Sequence, residues 1–329
     1  MCPKIAIIYN APEPKLYETD VEKRASLTII ESVEAVQRAL IESGYLVILV
    51  PLLPPLDSAK DILRKLETDL VFNLFEGFDG YPETEPDITK FISELGLNYT
   101  GCTGIALSFG LDKINTKAHL TAMGSETPRY QLLGPKTVSL FHLRYPCIVK
   151  PYADDGSNGI SEESVVHDLA SLEKQVNVIH NLFGKRALVE EYIDGREFNV
   201  TVLGFSPPRA LPVSEIVYSL PPELPRILTF SAKWDPQSIY FRGTKTVCPA
   251  EIDTSLQGHI TKTAITAFRL LGSHGYARVD FRLDSEEKLK IIELNPNPDI
   301  SPDAGAALQA KASGLSYSQF IEQIVQLAL

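Results

Sequence analysis

The chain has 329 residues and is 44% apolar, a globular composition too long for one ordinary core, so two or three domains are expected. Its net charge of −11 argues against nucleic acid or an anionic membrane as partner, and no run of about 18 apolar residues is present to cross a bilayer. The four cysteines (Cys2, Cys102, Cys147 and Cys248) are far apart with no CxxC pair, which argues against a disulfide framework or zinc site and fits reduced thiols in a cytoplasm.

The first elements alternate. KIAIIY (residues 4–9) reads as a strand, its apolar part too short for a signal peptide. Residues 10–24 are polar with two prolines and read as a loop. Ile29, Ile30, Val33, Val36 and Leu40 recur at helical spacing, which predicts a helix over 26–43 stopped by Gly44. Strand 45–51, a helix near 58–67, strand 69–75 and a helix near 85–95 ended by Gly96 follow. Strands alternating with helices imply a parallel sheet, here a small α/β domain of about a hundred residues.

Residues 100–111 read as a Gly-containing junction, and 112–123 as a helix with Asp112 as N-cap. The character then changes. Segments 127–133, 145–151 and 186–191 are strand-like with one helix near 168–182, which suggests an α+β lid. From about residue 191 a larger α+β domain follows and ends in a helix over 316–327.

Five stretches carry chemistry. The first is the pair Asp112-Lys113 at a helix start, where Lys113 either reaches a phosphate or is simply solvated. In YPCIVKPYADDGSNGIS (145–161) a strand ends at Lys150, and a loop carries Gly156, Ser157 and Gly159. Glycines let a backbone curl until its N–H groups face a phosphate, although an ordinary hairpin turn has the same composition. ALVEEYIDGREFNVTVLG (187–204) places Glu190, Glu191 and Ile193 ahead of a turn and Glu197 after it. An acidic residue at the mouth of an apolar hinge can accept from an adenine amino group or a ribose hydroxyl; a solvated turn is the plain alternative. Residues 230–249 read as a long polar loop with Lys233, Arg242 and Lys245. Such loops are often lids, and Trp234, between Lys and Asp, is placed to cover a ligand.

The fifth is YARVDFRLDSEEKLKIIELNPNPDISP (276–302). Arg278 and Asp280 share one face of a strand, Glu293 and Asn295 one face of the next, and the polar turn 284–288 joins them. Paired as a hairpin, they bring together two carboxylates, an amide and a guanidinium. The carboxylates and amide oxygen suit a hard cation such as Mg²⁺, and the guanidinium suits phosphate. A wet surface hairpin would show the same alternation.

Taken in order, YTGCTGIALSFGLDKINTK, VKPYADDGSNGIS, VEEYIDGREFNVTVLG, AKW…CPAEI and ARVDF…IIELNPNPDIS resemble the D-alanine–D-alanine ligase branch of the ATP-grasp superfamily, over nearly the whole chain from Asp69. The resemblance implies an ATP-grasp fold, α/β and α+β, with an N-terminal Rossmann-like pre-ATP-grasp domain (1–105), a central lid (106–189) and a C-terminal catalytic domain (190–329). It implies ATP, Mg²⁺ and a carboxylate–amine ligase that forms an amide through an acyl phosphate. By resemblance Lys113, Lys150 and Lys233 are phosphate and adenine-side lysines, and Gly156, Ser157 and Gly159 the phosphate loop. Glu190, Glu191 and Ile193 are the adenine hinge and Glu197 the ribose acceptor. Asp280, Glu293 and Asn295 are metal ligands, and Arg278, with Ser157 and Lys233, forms the catalytic set. The partners expected are a small-molecule carboxylate and amine, with a homodimer as a possible assembly.

The substrate side departs from the family. The first loop, NAPEPKLYETDVEKRASL, has no match to the family's Ser-x-Glu motif, and Glu76 stands where the family has a histidine. Asp299 replaces a glycine, and Ala304-Gly305, just after Asp303, stand where the family has its Ser-Leu pair. Added carboxylates would repel an anionic second substrate, so an amine, amide or hydroxyls are expected there, unless Asp299 and Asp303 merely cap local turns. Two further readings stay open: a true D-alanine–D-alanine ligase, and an ATP-binding sensor or scaffold.

Overall fold

The computed structural model describes residues 3–11, 20–78, 80–152, 157–204, 206–272 and 274–329, and over 20–28 the backbone alone. Its first third runs β1 (Lys4–Asn10), α1 (Asp20–Glu42), β2 (Leu46–Leu52), α2 (Leu56–Arg64), β3 (Leu70–Leu74) and α3 (Thr84–Glu94). The three strands form a parallel sheet in the order β2-β1-β3. Both faces of β1 are buried, as a parallel strand between helical layers requires. Ile5 and Ile7 meet Val36 and Leu40 of α1, while Ala6 and Ile8 meet Leu63, Ile88 and Ile92. α1 begins at Asp20, ahead of the expected start at 26. Glu22, Lys23, Arg24 and Ala25 are good helix formers, although polarity marks the stretch as loop.

Two helices follow, α4 (Gly104–Leu111) and α5 (Lys113–Ala122). α4 replaces the expected junction. Its glycines imitate a loop, but Thr103 caps it by accepting from the Ala106 N–H, and Ala106 and Leu107 are buried in the C-terminal core. Asp112 caps α5 through the Asn115 N–H, as expected.

The central sheet contains β4 (Tyr130–Leu133), β5 (Cys147–Pro151), the two-residue β6 (Val165–Val166) and β7 (Ala187–Glu191), antiparallel in the order β4-β7-β5-β6. α6 (Leu169–Phe183) covers one face, its N-terminus closed by Asp168 and Ser171. The last sheet contains β8 (Glu197–Leu203), β9 (Arg209–Ala210), β10 (Ser214–Tyr218), β11 (Thr244–Val247), β12 (Tyr276–Leu283) and β13 (Leu289–Pro296). Its order is β11-β10-β8-β12-β13, with β9 beside β8. The segment read as one long loop is α7 (Phe230–Trp234), α8 (Ile239–Gly243) and β11. Thr229 and Ser238 cap these short helices, a local signal that the polar composition hid. α9 (Thr254–Arg269) packs under β8 and β12, and α10 (Gly305–Ala312) and α11 (Tyr317–Gln326) close the chain. Phe320, Ile321 and Ile324 of α11 share one core with β1 and α1 of the first third. No helix among the described residues is long and apolar enough to cross a membrane.

The linker into α4 passes under the start of β12 at backbone contact. A Cβ on Gly275 would lie 2.2 Å from the Gly101 carbonyl, and Gly275 has φ +72°. The Cys102 N–H donates to Asn297 Oδ1 at 2.7 Å in the same crossing. Gly275→Ala is therefore expected to destabilise the protein by about 3 kcal/mol, read as a lower urea midpoint by circular dichroism. An unchanged midpoint would show that the linker can step aside.

Candidate active site

The hairpin forms in the register the alternation requires. Arg278 lies opposite Asn295 and Asp280 opposite Glu293. On the other side of β12, Asn199, Thr201 and Glu197 of β8 oppose Asp280, Arg278 and Arg282. The intervening residues Ala277, Val279 and Phe281 enter the core with Ala264 and Phe268 of α9, which fixes which face the charges take. A bulge follows Asp280: Glu293 pairs with it, Ile291 pairs with Phe281, and Ile292 has no partner.

Arg278 chelates Asp280, Nε to Oδ1 at 2.7 Å and Nη2 to Oδ2 at 2.8 Å, and Asn295 Nδ2 donates to the same Oδ2 at 2.9 Å. The Lys113 ammonium donates to Glu293 Oε1. Burial would raise the Glu293 carboxyl, but Lys113 and Lys150 hold it down to about 2. Asp280 goes the other way: burial raises it, the nearby Glu293 and Glu197 add to that, and Arg278 only partly offsets them.

Above this face lies the central sheet, and a cleft of about 150 Å³ separates the two. Lys113, Lys150, Ser157, Glu190, Glu191, Ile193, Glu197, Lys233, Arg278, Asp280, Glu293 and Asn295 all line it. Gly156 lies outside the described residues. Gly159 stands behind the cleft: it has φ +70°, and a Cβ there would meet the Phe183 ring at 2.8 Å. Ser157 adopts φ +64° in the same turn.

The hinge departs from its reading in detail. Glu190 is not at a solvated mouth; it is 1% exposed, between Lys117 Nζ at 2.8 Å and Lys150 Nζ at 2.8 Å. Its Oε1, though close to Lys117, accepts no aligned hydrogen bond. Glu191 is paired outward with Arg129, Nη2 to Oε1 at 2.9 Å. Glu197 Oε2 accepts from Tyr218 Oη at 2.7 Å and from Arg282, and Arg282 also donates to the Ile193 carbonyl at 2.9 Å. Lys117 and Arg282 were missed. Both had a signal: Lys117 is one helical turn after Lys113, and Arg282 continues the Arg278–Asp280 alternation.

Four other residues singled out in the sequence stand outside the lining of the cleft. Trp234 is half-buried on α7 and is not in the lining of the cleft. Asp299 closes a turn, accepting from the Ser301 N–H at 2.8 Å and from its hydroxyl at 2.5 Å. Asp303 is exposed, and Ala304, the N-cap of α10, provides no side-chain cap. Glu76 is exposed, its N–H held by Asn10 Oδ1 at 2.9 Å.

Burial would raise the Glu190 carboxyl, but Lys117 and Lys150 outweigh it and hold it below its ordinary 4.5. A depressed carboxylate stabilises the fold above its unfolded value, and that contribution is lost as pH falls through the folded value. Glu190→Gln leaves two buried ammoniums without a counter-charge and is expected to cost about 3 kcal/mol at neutral pH. The gap to the parent protein should narrow once pH drops below the ordinary value of 4.5. Urea titrations at neutral and acid pH measure it, and a gap of constant size would contradict the ion triad.

Comparisons with known proteins show the family. A sequence model described as "D-ala D-ala ligase C-terminus" matches residues 134–326. The chain is 33% identical over 288 residues to the uncharacterized protein y4sG of Sinorhizobium fredii, covering 87% of this chain and 81% of that one. It is 30% identical over 310 residues to the D-alanine–D-alanine ligase of Desulforudis audaxviator, covering 91% and 93%. Its fold is similar to that of the VanG D-Ala:D-Ser ligase from Enterococcus faecalis, with TM-score 0.78 and 20% identity over 100% of both chains. It is also similar to the D-alanine–D-alanine ligase from Bacillus anthracis complexed with ATP, with TM-score 0.73 and 19% identity over 100% of this chain and 97% of that one. The chain belongs to the D-alanine–D-alanine ligase family of ATP-grasp proteins and is an ATP-dependent, ADP-forming carboxylate–amine ligase.

Proposed function

We propose that the cleft between the central and C-terminal sheets binds ATP and joins a small carboxylate to a small amine whose identities differ from the family's usual pair. The observation that carries this reading is the hairpin register, which sets Arg278, Asp280, Glu293 and Asn295 on one face beneath Lys150. Lys113, Lys150, Lys233 and the turn at Ser157 would take the phosphates. Glu190, whose Oε2 faces Lys150 and the cleft while its Oε1 faces Lys117, would stand with Ile193 at the adenine hinge. Glu197, engaged through Oε2 alone by Arg282 and Tyr218, offers its other oxygen to a ribose hydroxyl.

The residues also fit a hard cation. Two carboxylates and an amide meet in one desolvated place, and Asp280 stays raised even with Arg278 on it. Asp280, Glu293 and Asn295 would hold Mg²⁺, which when bound neutralises phosphate charge. In the reaction the substrate carboxylate attacks the γ-phosphorus, the bond to the bridging oxygen breaks, and ADP departs. The amine then attacks the acyl carbon, its C–O bond to phosphate breaks, and phosphate leaves as the nitrogen gives up its proton. Phosphoryl transfer of this kind needs positioning and charge neutralisation more than a protein nucleophile. Arg278 would steady the acyl phosphate and the tetrahedral oxyanion.

Each sheet is proposed as the centre of one domain, over 1–105, 106–189 and 190–329. A cytoplasmic location and a homodimer accompany this reading. D-alanine as both substrates is the second reading, favoured by the 30% identity to a D-alanine–D-alanine ligase over 93% of its length. The unmatched first loop and Glu76 favour a different pair. An ADP-release screen over amino acids and dipeptides, with mass spectrometry of the product, decides. Turnover with D-alanine alone would overturn the first reading.

Two substitutions test the machinery. Glu293→Ala should abolish turnover with an unchanged circular dichroism spectrum, and near-normal activity would sink the metal assignment. Lys150→Ala should raise the Michaelis constant for ATP, or lower turnover, by at least about tenfold, roughly 1.4 kcal/mol. An unaltered ATP response would remove Lys150 from the phosphate site.

A further inference from the structure

Lys117 is 2% exposed and is not in the lining of the cleft. Its ammonium donates to Thr127 Oγ1 at 3.0 Å and to the Ile292 carbonyl at 3.2 Å, and is ion-paired with Glu190 Oε1 at 2.8 Å. These acceptors belong to separate parts of the fold. Glu190 is on β7 of the central sheet, and Ile292 is the unpaired residue of the bulge on β13. That carbonyl lies next to Glu293, so the bulge that presents Glu293 to the cleft also turns an acceptor back toward Lys117.

The arrangement has a consequence for Lys150. Glu190 carries one negative charge between two ammoniums, Lys117 behind it and Lys150 in front. With both in place the group keeps a net positive charge toward the cleft. Without Lys117, Glu190 would neutralise Lys150 and compete with any phosphate for it. At this depth charge competition is scarcely screened by salt.

We propose that Lys117 is a positioning residue for nucleotide binding: it holds Glu190 from behind, anchored by the Ile292 carbonyl, and so keeps the Lys150 ammonium available to phosphate. The inference rests on the nucleotide reading of the cleft. It assigns Lys117 no contact with substrate.

ADP binding by calorimetry, without the other substrates, tests it. Lys117→Met should weaken ADP by at least about tenfold, with the Michaelis constant for ATP rising in parallel and those for carboxylate and amine unchanged. A role in stability alone would lower the melting temperature and the active fraction but leave ADP affinity per folded molecule as it was, and that result would overturn the proposal. The double variant Lys117→Met with Glu190→Gln removes the competing carboxylate. It should bind ADP within about threefold of Glu190→Gln alone, and it supplies the test if the single variant does not fold. A tenfold loss in the double variant relative to Glu190→Gln alone would overturn the proposal. Lys150→Met separates the two levels. If it binds ADP normally, the phosphate reading of Lys150 fails and this inference with it; if it loses ADP while Lys117→Met does not, only the role of Lys117 fails.

Discussion

The pairing of β12 with β13 is the constraint on which the rest of the site depends. A strand alternates its side chains, so a slip of one residue would turn Arg278 and Asp280 into the core and Val279 out of it. Two things prevent the slip. Ala277, Val279 and Phe281 are fully buried against α9, and the tight turn after Leu283 is closed by Asp284, whose Oδ1 accepts from the Glu286 and Lys288 N–H groups at 2.9 Å. Core packing thus determines where the chemistry faces. The bulge after Asp280 departs locally from this regularity and changes the spacing between Ile291 and Glu293.

Charge is the second constraint. Burying a carboxylate or an ammonium alone is costly, and a buried pair is tolerated only when its geometry is complete. The cleft meets that condition by pairing its own groups: Arg278 with Asp280, Lys113 with Glu293, Lys117 and Lys150 with Glu190, and Arg282 with Glu197. These are the groups a nucleotide and its metal would engage, so ligands must exchange partners with ion pairs already present. The paired groups therefore meet that condition as they stand, and binding would gain only the difference between two sets of ion pairs.

Much of this was legible in the residues. The strand–helix alternation of the first third, the Asp112 cap and the Arg278–Asp280 face each follow from one local rule of spacing or capping, and each is present. Where the reading failed, a long-range contact outweighed local composition. Residues 104–111 look like a loop because of their glycines, yet α4 is stabilised by burial of Ala106 and Leu107. Glu190 looks like an exposed hinge acid, because nothing local reveals that Lys117 and Lys150 arrive on either side of it.

The two ends of the chain are joined more tightly than their separation suggests. Phe320, Ile321 and Ile324 of α11 pack with Ile5, Ile7 and Leu40, and Tyr276 at the start of β12 is in the same core. Tyr45 Oη donates to Glu322 Oε1 at 2.9 Å across this contact. The strand that carries Arg278 and Asp280 therefore begins inside a core shared with the N-terminal sheet. Any wall that sheet contributes to the substrate side, Glu76 included, is referenced directly to the reacting face. The hinge carboxylate Glu190 reaches the same face by another route, through Lys117 and the Ile292 carbonyl. The N-terminal sheet and the β7 carboxylate Glu190 are thus both tied to the one hairpin that carries Arg278, Asp280, Glu293 and Asn295.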